Sequence, residues 1–202
     1  MRTGRLVLVA VAAVVAAAVA IAVAIQLDRS GTAGSASRAT TSPPAMTTLP
    51  SGPEEPGAPL RLSIPAIGVD APLVAVGLKP DGAMQTPEFG IAGWYDKGPK
   101  PGTPGPAVLL AHVDSKVNGP DVFFRLRELK RGDQVTVRYA DRQRTFAVTG
   151  KEQTAKTALP TSRIWNGAST PVLRLITCGG AFDRKAGSYL DNIIVYADQL
   201  LT

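Results

Sequence analysis

Leu173-Arg174-Leu175-Ile176-Thr177-Cys178-Gly179-Gly180 is a short apolar run that stops at one thiol and two glycines. Its length and its branched residues predict a buried strand over Val172 to Thr177, with Gly179-Gly180 as the turn signal that ends it. Val108 to Val113 reads the same way, and it carries His112 to the point where the chain enters a polar loop containing Gly and Pro. Further strands follow from period-two alternation. Gln134 to Tyr139 sets Val135, Val137 and Tyr139 on one face, and Arg144 to Thr149 does so with Phe146 and Val148. Leu60 to Ile64, Leu73 to Val76 and Asn192 to Ala197 complete the set, with Pro72 as a break before Leu73. Turn signals at Pro80-Asp81-Gly82, Lys100-Pro101-Gly102 and Arg131-Gly132-Asp133 separate them. One short helix is predicted over Asp121 to Leu129, with Asp121 as its cap. Many short strands with few helices predict a mainly β domain, a barrel or a sandwich.

Upstream the pattern changes. Leu6 to Ile25 is a run of 20 apolar residues with no polar face, preceded by Arg2 and Arg5. A helix of that length reaches roughly 30 Å, enough to cross a bilayer core. The basic flank predicts a cytoplasmic N-terminus and an exported remainder. An uncleaved anchor and a signal peptide cleaved after Ala18-Val19-Ala20 both fit, and the length of the run favours the anchor. Asp28 to Pro59 holds six Pro, four Gly, five Ser and five Thr, with no periodicity, and reads as a tether. The predicted organisation is therefore an anchor over residues 1–27, a linker over 28–59 and an extracytoplasmic domain over 60–202.

Composition narrows the chemistry. The chain of 202 residues has one Cys and one His. An intramolecular disulfide needs two thiols, and a four-cysteine or Cys2His2 zinc site needs more ligands than exist. No phosphate loop, calcium-type acidic cluster or nucleic-acid motif is present, so neither cofactor, metal nor nucleic acid is expected. A net charge of +6 suits an anionic envelope but is common elsewhere.

A lone buried Cys is usually inert, and a lone His at a strand end is usually a packed side chain. The pair argues otherwise. An exported protein gains little from an unpaired thiol, which invites oxidation. A Cys and a His, each at a strand exit, form the smallest apparatus for covalent acyl transfer: a nucleophile and a proton shuttle.

These features together resemble the sortase family of cysteine transpeptidases. The resemblance rests on the N-terminal apolar run, the polar linker, Ala111-His112-Val113-Asp114-Ser115 and Leu175-Ile176-Thr177-Cys178. Thr177 to Asp183, Gly187 to Ala197 and Leu78 to Met84 resemble the actinobacterial class F branch most closely. The resemblance runs from about Arg61 to Ala197 and implies a closed eight-stranded barrel. It implies that Cys178 attacks a carbonyl in a C-terminal LPxTG-type sorting signal of a secreted protein. The resulting thioester passes to an amine, such as one from a peptidoglycan precursor. His112 would protonate the leaving amine and deprotonate the incoming one.

The family's third residue is an Arg near the start of the strand after the Cys. Here Asn192 occupies that place, and the nearest following arginine is Arg184 in the loop Asp183-Arg184-Lys185. Either Arg184 as a mobile cation or Asn192 as a hydrogen-bond donor could serve a tetrahedral oxyanion. Arg174 lies further away along the same strand face. Asp114 is a candidate to orient the imidazole or an incoming amine, or else to close a turn. Thr177 faces away from Cys178 by strand alternation and would meet substrate only through a local twist. The loop Lys116 to Pro120 is a candidate groove wall. An envelope thiol hydrolase using the same pair, and a non-catalytic binding barrel, are the rival functions.

Overall fold

The computed structural model describes residues 57–201. The N-terminal anchor and most of the linker lie outside the described residues. Eight strands close into a barrel: β1 (Arg61–Ile64), β2 (Val69–Val76), β3 (Ala92–Tyr95), β4 (Gly105–Leu110), β7 (Gln134–Arg138), β8 (Gln143–Ala155), β9 (Pro171–Asp183) and β10 (Ser188–Gln199). Their order around the barrel is β1-β2-β3-β4-β9-β10-β8-β7, with β7 paired back to β1. Two further strands, β5 (Asp114–Ser115) and β6 (Gly119–Pro120), form a small ribbon just after His112. One five-residue helix, α1 (Thr161–Trp165), sits between β8 and β9.

Alternation builds the barrel wall. In β7, Val135 and Val137 are fully buried while Gln134 and Arg138 are exposed, as the period-two reading expects. Leu62, Ile64, Leu109, Phe146, Leu173, Leu175 and Val195 fill the same interior. β4 differs, because every residue in it is buried. Its inward side joins the barrel core, and its outward Val108 packs with Ile164 of α1 and Ile194 of β10. A strand covered on both faces has no polar side, which is why Val108 to Leu110 shows no alternation.

The closed eight-stranded barrel matches the expectation, but several boundaries differ. Pro72 does not break the chain; it lies within β2. That strand pairs with β1 through Pro72 and with β3 from Leu73 onward, so the missing N–H falls where β2 changes partners. The helix expected over Asp121 to Leu129 is only a turn of 3-10 helix at Leu126–Glu128. Asp121 Oδ1 accepts from the Gly90 N–H at 2.8 Å rather than capping its own segment. The last strands are longer than expected. β9 runs through Cys178 and the two glycines to Asp183, so Gly179-Gly180 is not a turn.

The second glycine and Ala181 form a β-bulge. Tyr189 pairs with Phe182 and Asp191 pairs with Gly179, so two residues of β9 oppose Leu190 alone. Gly180 takes the extra-residue conformation at φ +75°, and a Cβ there would stand 2.2 Å from an Asp191 carboxylate oxygen.

Candidate active site

His112 lies two residues beyond the end of β4, and Cys178 lies two residues beyond the last rung that β9 shares with β4, Leu110 opposite Ile176. Two hydrogen bonds join the two exits. The Thr177 hydroxyl donates to the Ala111 carbonyl at 2.8 Å, and the Ala111 N–H reaches the Ile176 carbonyl at 3.4 Å. Thr177 precedes Cys178, and Ala111 precedes His112. The Thr177 side chain is buried, at 4% exposure, and ties the two exits together, while the residue also lines the smaller of the cavities described below.

The imidazole is held from a third segment, between β2 and β3. His112 Nε2 lies 2.9 Å from the Pro87 carbonyl, which can only accept, so Nε2 carries a hydrogen. Nδ1 is then the nitrogen left for proton exchange. The Phe89 ring stacks on the imidazole at 4.3 Å between centroids and 20° between planes. The bond from Gly90 to Asp121 pins this segment in place.

Cys178 is half-buried on the outer face of the sheet, directly opposite Asn192 in β10. Side chains of such opposed residues project to the same side. Two cavities meet here, and both His112 and Cys178 line each of them. The smaller, about 450 Å³, runs under α1 and is walled chiefly by Val108, Leu110, Ile164, Trp165 and Ile176, with Asn192 at its margin. The larger, about 830 Å³, is walled by Asp114, Lys116, Phe182, Arg184 and Tyr189.

The expected site residues thus fall into two groups. Cys178, His112 and Asn192 converge at the cavity junction, and Asp114 and Arg184 line the larger cavity. Asp114 does not orient the imidazole, whose bonded partner is Pro87. Its Oδ2 accepts from the Tyr189 hydroxyl at 2.6 Å, and this carboxylate holds the Tyr189 phenol above its ordinary pKa. Arg184 is exposed on the β9–β10 turn. Arg174 is engaged elsewhere, with its guanidinium 4.8 Å from the Tyr196 ring centroid and bonded to the Arg163 carbonyl. Pro87, Phe89 and Tyr189 were not singled out from the sequence. Pro87 lies 25 residues from His112, and Tyr189 lies 75 from Asp114, beyond any local spacing rule.

A thiol and an imidazole thus stand together at the junction of two cavities on a β-barrel. Residues 62–200 match the sortase domain, and the chain belongs to the sortase family: it is a cysteine transpeptidase. Solved structures share the fold. Sortase C-1 from Actinomyces oris aligns with a TM-score of 0.54 at 19% identity, over 72% of this chain and 76% of that one. A pilus-related sortase C of Group B Streptococcus gives 0.55 at 18%, over 73% and 69%. A sortase D5 transpeptidase of Clostridium perfringens gives 0.51 at 15%, over 71% and 79%. No curated protein matches the sequence.

Proposed function

We propose that this sortase is held in the cell membrane by Leu6 to Ile25, with its barrel on the outer side, and that it belongs to the class F branch. Its substrate is a secreted protein with a C-terminal LPxTG-type sorting signal. The Cys178 thiol gives its proton to His112 Nδ1 as its sulfur attacks the scissile carbonyl carbon, and the tetrahedral oxyanion accepts a hydrogen bond from the Asn192 carboxamide. The C–N bond breaks, the nitrogen leaves with a proton from His112 Nδ1, and a thioester remains. An amine on the cell envelope then attacks the thioester and gives its proton to His112. The C–S bond breaks, and the thiol is restored. One amide replaces another, so no oxidant, metal or cofactor enters the balance.

The observation that carries this reading is the shared border of the two cavities, where Cys178 and His112 each face both. A transpeptidase needs an acyl site and an amine site on either side of one nucleophile. The test is acyl-enzyme trapping with the full chain in detergent micelles, a set of LPxTG-like peptides and hydroxylamine, followed by mass. A thioester on the chain and a peptide hydroxamate are expected, and both are lost in Cys178→Ala. Asn192→Ala is expected to slow hydroxamate release more than Arg184→Ala. Peptide cleavage to the free acid alone, with no transfer to any amine, would instead indicate a thiol hydrolase. An unreactive peptide set with a Cys178 inert to iodoacetamide would refute both.

A further inference from the structure

The two cavities at the junction differ in chemistry. The smaller exposes mostly apolar surface, from Val108, Leu110, Leu159, Ile164, Trp165 and Ile176, with Lys156 as its one charged side chain besides the Cys178–His112 pair, so it suits the apolar residues of an acyl donor. The leaving amine and the incoming amine occupy the same side of the acyl carbon, because the second half-reaction is the first run backwards with a different amine. That side is the larger cavity.

Its walls carry three charged side chains besides His112: Asp114, Lys116 and Arg184. When the acceptor enters, the Cys178 sulfur is an uncharged thioester and His112 has given its proton to the leaving nitrogen, so neither adds charge to the cavity. Two cations therefore stand against one carboxylate. Among the described residues, the ion pairs involve neither Lys116 nor Arg184. Asp114 is fixed at one wall by the Tyr189 hydroxyl, and its second oxygen has no recorded partner. The β9–β10 turn bearing Arg184 is held by Asp183 Oδ1, which accepts from the Lys185 and Ala186 N–H groups.

A bare ammonium entering this cavity meets more positive than negative charge. An amine whose own carbon carries a carboxylate satisfies both signs: it binds with its ammonium toward Asp114 and its carboxylate toward Lys116 and Arg184, loses one proton to solvent, and attacks as the free amine, whose second proton goes to His112. We propose that the acceptor is zwitterionic, an amino-acid unit with its reactive amine beside a free carboxylate, and that Lys116 and Arg184 select it over a plain alkylamine. This rests on the transpeptidase reading above.

The test uses the full chain in micelles and an LPxTG-like peptide that yields a hydroxamate. Transfer rates to alanine and to ethylamine are each divided by the same protein's rate with hydroxylamine. Lys116→Gln and Arg184→Gln are each expected to lower the alanine-to-ethylamine ratio about two- to fivefold, the range of an exposed ion pair. The basicity difference between the two amines cancels in this comparison. Asp114→Asn is expected to lower both amine rates relative to hydroxylamine. Tyr189→Phe keeps the carboxylate and is expected to preserve the alanine preference. A ratio unchanged by both cation variants overturns the proposal while leaving transpeptidation intact. Absence of any hydroxamate overturns transpeptidation and this proposal together.

Discussion

Thr177→Val removes one oxygen from the link between the two catalytic strand exits and changes little else. The hydroxyl is buried, its bond to the Ala111 carbonyl is 2.8 Å, and no other recorded donor reaches that carbonyl. Valine fills nearly the same volume, so the cost is that of an unmet buried acceptor, about 1–3 kcal/mol. For a domain of this size, about 2 kcal/mol corresponds to a fall in Tm of roughly 6–10 °C. The bond also sets Cys178 relative to His112, so the maximal rate of hydroxamate release should fall by more than the peptide KM changes. Thr177→Ser keeps the donor and should recover most of the rate, though it loses a buried methyl. Circular dichroism melting and the hydroxylamine assay on the three proteins decide the matter. A valine variant that melts within about 1 °C of the parent and keeps its rate would refute this account of how the site is held.

Gly179→Ala would place a Cβ 2.7 Å from Ile193 Cγ1, a side chain buried in the barrel, and should cost about 1–3 kcal/mol in urea unfolding. Burial pushes the Tyr139 phenol up to about 12, so the folded state keeps that proton to higher pH than the unfolded chain. Its contribution, on the order of 2–3 kcal/mol, is whole below about pH 10 and is lost as pH rises toward 12. Tyr139→Phe should start less stable, having lost the bond to the Pro101 carbonyl, and then decline less over that window. Equal declines in parent and variant would sink the assignment. Cys178 is the only thiol in the chain. A membrane-impermeant maleimide added to intact cells should therefore label the chain, and labelling only after lysis would place the barrel on the inner side.

Local pattern made much of the barrel legible. β7 was readable because alternation is a property of five adjacent residues, and the exits bearing His112 and Cys178 were readable because apolar runs end there. What stayed hidden depends on partners distant in sequence. Pro72 looked like a break because a chain read alone does not show that β2 exchanges β1 for β3 at that residue. Asp121 looked like a helix cap because its true acceptor role is toward Gly90, 31 residues away. α1 is five residues long, too short for a helical period to register. Asn192 was placed by aligning an apolar run, and the register now sets it across from Cys178.

β4 ends at Leu110, while its neighbour β9 continues to Asp183. From Val172 to Ile176, β9 has a strand on each side; from Thr177 onward, only β10 remains. Local stability therefore declines along a single strand, and amide hydrogen exchange should quicken beyond Cys178. The thiol sits at the firm end of that gradient. Phe182, Arg184 and Tyr189, which wall the larger cavity, sit toward the soft end. On the transpeptidase mechanism proposed above, the hairpin tip can breathe while Cys178 stays fixed, which lets the larger cavity take acceptors of different girth without disturbing the sulfur.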